Sequence, residues 1–148
     1  MPHAGLMDEG SLGPVKGPLQ RARLHIRGGK RRLRQGKISA GIVTLYDALL
    51  AAMEWYVNEP ALRATLAITD KDDLRNEAHV YAVLVRSGIL DTTFDFTAFD
   101  GLVEKALEKE ISGDGLSEIV EKIDKVMTRL GVMPFDEALL PPEDPATF

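Results

Sequence analysis

From Ile38 to Leu130 apolar residues recur every three or four positions, the spacing of helices that bury one face. The strongest run covers 38–58, with Ile38, Ile42, Leu45, Tyr46, Leu49, Leu50, Met53, Tyr56 and Val57 on one broad stripe. That width predicts a central helix with several neighbours. Ser39 is a candidate cap at its start, and Pro60 lies just past its end. Pro60 to Ala67 reads as a short helix with proline in its first turn. Thr69 with Asp72, or Asp70 with Asp73, has capping-box spacing. It predicts a helix reaching Ser87, with Leu74, Ala78, Tyr81, Leu84 and Val85 inward and Gly88 as its stop. A turn with Phe94 and Phe96 leads into a helix over about 96–111, with Phe99, Leu102, Val103, Ala106, Leu107 and Ile111 inward. Ser112 to Gly115 breaks it. The last long helix spans about 115–130, buries Leu116, Ile119, Val120, Ile123, Val126, Met127 and Leu130, carries Glu118–Lys122 and Glu121–Lys125 pairs on its wet face, and ends at Gly131.

Residues 18–36 admit two readings. Ala22, Leu24 and Ile26 alternate with Arg21, Arg23, His25 and Arg27 before Gly28-Gly29, as in a strand entering a hairpin. Helical spacing separates the residues more cleanly. Leu19, Ala22, Ile26, Gly29 and Leu33 share one stripe, which excludes the basic residues. The helix is therefore preferred, weakened or bent by its glycine pair at roughly 1 kcal/mol per glycine.

Residues 1–17, rich in glycine and proline, are expected to be a flexible N-terminal arm. Residues 18–133 are expected to form one helical domain. The tail 134–148, with four prolines, is expected to be extended or disordered beyond one turn near Phe135–Leu140. The predicted fold is all-α: a single-domain bundle of about five helices between a loose arm and a Pro-rich tail.

Composition sharpens this picture at one point. The 148 residues carry 18 Lys+Arg and 23 Asp+Glu, a net charge of −5. Residues 1–37 hold nine basic and two acidic groups, and the remainder is correspondingly acidic. The absence of cysteine excludes disulfides, thiolate catalysis and cysteine metal sites. Asp8 and Glu9 interrupt any signal-peptide core. Asp47 and Glu54 make the apolar 38–57 stretch costly at bilayer depth, so no membrane insertion and a cytoplasmic location are expected.

A search for chemistry finds no assembled set. His3, His25 and His79 are the histidines. Only His79 falls in a well-formed helix, beside the inward Ala78, where a partly buried structural role is expected. Glu77 and His79 point to different helix faces, and Asp70, Asp72 and Asp73 lack the rest of a calcium loop, so no metal and no cofactor are expected. Gly28-Gly29-Lys30 lacks phosphate-loop spacing. Leu33-Arg34-Gln35-Gly36-Lys37, followed by Ala40-Gly41-Ile42 and Tyr46-Asp47-Ala48-Leu49, resembles the rhythm of helical hairpins in tetratricopeptide-type and HEPN-type domains. The likeness covers under twenty residues. No second copy follows at a repeat period. The pairs Arg75/His79 and Arg21/His25 have three residues between them, where the HEPN motif has four to six, so no catalytic role is carried across.

The basic run from Lys16 to Lys37 contains no acid and no aromatic residue. It can lie against the acidic body, or it can neutralise phosphates without stacking on bases. Three functions follow. The first is a helical protein-interaction or accessory module, with itself as a homodimer or another protein as the expected partner, and with Trp55 and Tyr56 as interface candidates. The second is nucleic-acid backbone binding through Arg21, Arg23, Arg27, Lys30, Arg31, Arg32 and Arg34. The third is an enzyme centred on His79 with Arg75 and Glu77.

Overall fold

The computed structural model describes residues 9–148. The described residues form six α-helices and no strand: α1 (Glu9–Arg34), α2 (Ile38–Asn58), α3 (Pro60–Arg63), α4 (Glu77–Arg86), α5 (Phe96–Glu108) and α6 (Leu116–Leu130). Short 3-10 turns follow at Glu137–Leu139 and Pro145–Thr147. The all-α architecture is as expected, and residues 18–34 are helical rather than a hairpin.

The start of α1 differs from the expected arm, which it enters at Glu9; residues 1–8 lie outside the described residues. Gly13 kinks α1 with φ +86°, a conformation that suits glycine, and Pro14 occupies the next turn. Pro18 has no N–H to give the carbonyl of Pro14. Asn58 Nδ2 donates to that carbonyl instead, at 3.1 Å. A proline that reads as a breaker is thus accommodated because α2 supplies the missing donor.

α1 and α2 form an antiparallel hairpin joined by Gln35–Lys37. Their seam is built on glycine. A Cβ on Gly29 would stand 2.9 Å from Leu45, and one on Gly41 would stand 2.4 Å from Leu33. Gly29 therefore costs helix propensity but permits a close crossing, a use its spacing alone does not reveal.

α2 is central and packs against each of the other five helices. Ile42, Leu45, Leu49 and Met53 are fully buried with Leu84, Ile123, Met127 and Leu130. Each such side chain contributes about 1.5–3 kcal/mol by leaving water. α2 is long and apolar enough to cross a membrane by length and composition. Here its apolar faces carry the core. Tyr81 and Phe96 stack at 5.1 Å between centroids beside Phe94 and Phe99, and burial raises the Tyr81 phenol to about 12.

Other boundaries shift. Ser39 lies inside α2 rather than capping it: its hydroxyl donates to the Lys109 carbonyl and accepts from the Ile111 amide. Glu110 takes the Ser39 amide at 2.8 Å, placing a carboxylate at the positive end of α2. α4 starts at Glu77, capped by Asn76. Ala78 is exposed, Val80 and Val83 are buried, and Leu74 precedes the helix. α5 stops at Glu108 and buries Phe96, Phe99, Val103 and Ala106, while Leu107, expected inward, is 68% exposed. α6 has its expected face and both expected ion pairs, at 3.4 and 3.7 Å.

Candidate functional site

Arg23, Arg27 and Arg31 follow one another at four-residue intervals, so α1 stacks them in a row on one face. The C-terminal segment lies along that row. Arg23 Nε donates to the Val132 carbonyl at 3.0 Å, and its guanidinium sits 5.6 Å from the Phe135 ring centre. Arg27 donates to the Pro141 carbonyl at 2.7 Å. The carboxylate of Glu143 then enters between two arginines: Oε1 is 3.1 Å from Arg27 Nε, and Oε2 accepts from Arg31 Nε at 2.5 Å. Arg31 also donates to Gln35 and lies 4.4 Å from the Phe148 ring centre. These Arg27, Arg31 and Glu143 side chains are 12, 11 and 18% exposed, so water screens their attraction only partly.

The remaining basic candidates have other surroundings. Arg21 pairs with Glu54 of α2, and Lys30 meets both oxygens of Asp124 in α6 at 2.9 and 3.0 Å. Arg32 is half-buried, and burial with the neighbouring Arg31 charge lowers its pKa. Its guanidinium lies beside Gly28, 2.9 Å from where a Cβ would stand. Arg34 is exposed. Five of the seven candidate cations thus meet acids or carbonyls of their own chain.

Beside the Glu143 clamp opens a cavity of about 670 Å³ between α1, the start of α2 and the end of α5. Leu24, Val43, Ala106 and Leu107 supply apolar wall, while the cations Arg27, Arg31, Arg32 and Lys109 and the acids Asp47, Glu108, Glu110, Glu143 and Asp144 supply the charged lining. His25, placed by sequence in the basic segment, is buried at this wall.

His79 is partly buried, as expected, and bonds to the loop before α4. Its Nε2 is 2.7 Å from Asp72 Oδ1, while Asp72 Oδ2 accepts from Arg86 at 2.7 Å and from the Thr69 amide at 2.7 Å. Arg86, then His79 and the Thr69 amide, hold the Asp72 carboxyl well below the usual carboxylate range. Arg86 also donates to the Ala67 carbonyl. The Thr69–Asp72 spacing thus marks a loop closure onto α4 rather than a helix start. Arg75 pairs instead with Asp73 at 3.3 Å, and Glu77 is exposed, so neither completes a set with His79.

The interface candidates also turn inward. Tyr56 is buried and its hydroxyl pairs with Thr65, whereas Trp55 is half-buried beside Gly131. No group of three or more His, Asp or Glu suited to a metal occurs among the described residues. Sequence reasoning located the arginines but missed Glu143, Phe148 and the cavity. The only available signal was the charge split, because Arg31 and Glu143 are 112 residues apart. No protein-family model, curated protein or solved structure matches this chain.

Proposed function

We propose that this chain is a helical protein-interaction module that binds an acidic protein segment along the arginine face of α1. The carrying observation is the seating of Glu143 between Arg27 and Arg31, at the rim of an open cavity. Two guanidinium groups on one helix face are suited to a carboxylate, with Arg31 Nε giving it a charge-assisted hydrogen bond and Arg27 an adjacent positive charge. The phosphate-backbone reading has less support, since the group the fold itself seats on this face is a carboxylate. The reading centred on His79 has less again, because Asp72 and Arg86 use it to close a loop.

Fluorescence anisotropy tests the proposal with a labelled Glu-rich decapeptide and a single-stranded oligonucleotide of similar charge. The full chain is expected to bind the peptide at low salt. The double variant Arg27→Ala/Arg31→Ala loses that binding, and Arg34→Ala keeps it. Tighter binding of the oligonucleotide, dependent on Arg32 and Arg34, would overturn the proposal. Sedimentation of the full chain separates a foreign segment from a second copy as the partner.

A further inference from the structure

Residues 141–148 already occupy the arginine face, but they leave much of the neighbouring space open. Glu143 takes the guanidinium groups of Arg27 and Arg31. The Phe148 ring lies on Arg31. The adjoining cavity of about 670 Å³ has Leu24, Val43, Ala106 and Leu107 in its lining, together with Asp47, Glu108, Lys109 and Glu110. Leu107 is one of three large apolar side chains among the described residues that stand strongly exposed. Glu143 therefore holds the arginine side of the position, next to a cavity with a partly apolar wall.

We propose that the tail is a tethered competitor for this groove, and that the partner segment carries a carboxylate next to a bulky apolar side chain. The inference rests on the acidic-segment reading above and adds both the partner's second feature and its control. The partner's carboxylate replaces Glu143 between Arg27 and Arg31. Its aromatic or branched side chain enters the cavity against Leu107 and Val43. Charge complementarity selects the acid, and apolar burial gives the partner an advantage over the resident tail. The tail holds the groove closed by proximity, since a tethered segment competes at high effective concentration. Binding measured on the whole chain is then weakened by the fraction of molecules whose groove is open.

Two labelled peptides serve as probes, acetyl-Gly-Trp-Glu-Glu-Gly-amide and its counterpart with Gly in place of Trp. Each is titrated into the full-length chain, Glu143→Gln and Leu107→Ala. Glu143→Gln is expected to bind both peptides about fivefold or more tightly, because it releases the tail. The Trp peptide is expected to bind several-fold more tightly than the Gly peptide, and Leu107→Ala narrows that margin without changing affinity for the Gly peptide. Unchanged affinity in Glu143→Gln, with binding present, overturns the competitor role and leaves the acidic-segment reading standing. Equal binding of the two peptides overturns the cavity contact. Absence of binding to all three proteins overturns the parent reading and this inference with it.

Discussion

The two faces of α1 are held by different physics. The inner face meets α2 through Gly29 and Gly41, where shape leaves no room for a Cβ. The outer face meets the C-terminal tail through Arg23, Arg27 and Arg31, where charge does most of the holding. Close apolar packing responds weakly to salt and strongly to volume, and partly exposed ion pairs do the reverse. The inner face is therefore suited to fix the fold, and the outer face is suited to exchange one acidic occupant for another. The Asp72 cluster on α4 separates charge from exchangeability. It too seats a carboxylate among donors, but it closes a nearby loop, and Asp72 is 4% exposed.

The largest effect is expected on the inner face. Gly41→Val drives a side chain into Leu33 and should destabilise the protein by about 3 kcal/mol, read by chemical denaturation. An unchanged denaturation midpoint would mean that the glycine seam is not what sets the crossing. Next comes Asp72→Asn, which should lower the melting temperature at pH 7. A carboxyl held below its ordinary value stabilises the fold above about pH 4 and loses that contribution as pH falls through its depressed value. The difference between Asp72→Asn and the parent chain should thus shrink on acidification. A constant difference from pH 7 to pH 2 would remove the ion-pair explanation. The smallest global effect is expected at Glu143→Gln, about 1 kcal/mol or less in the denaturation midpoint. Its signature is local: amide hydrogen exchange should quicken in residues 141–148 and leave α2 unchanged. Raising the salt on the parent chain should reproduce that pattern in part.

The same contrast explains what could be read along the chain. The span of α2 and the buried stripe of α6 follow from residues within each segment, and both were legible. The onset of α1 was not, because Pro18 is tolerated through Asn58, forty residues away. Ala78 and Leu107 were placed inward by periodicity. In the fold the buried faces run through Val80, Val83 and Leu84 of α4 and Phe99, Val103 and Ala106 of α5, which leaves both outside. The arginines of the candidate site were legible as a charge run. Their occupant was not, since nothing local to Glu143 in a Pro-rich tail indicates which cation it will meet.

The central claim is that Glu143 and an acidic partner compete for Arg27 and Arg31. Its most direct test is one salt-matched titration of the Glu-rich decapeptide into the parent chain, Glu143→Gln and Arg27→Ala/Arg31→Ala. Binding is expected to be strongest for Glu143→Gln, weaker for the parent chain and lost in the double variant. Equal affinity across the three proteins would contradict it.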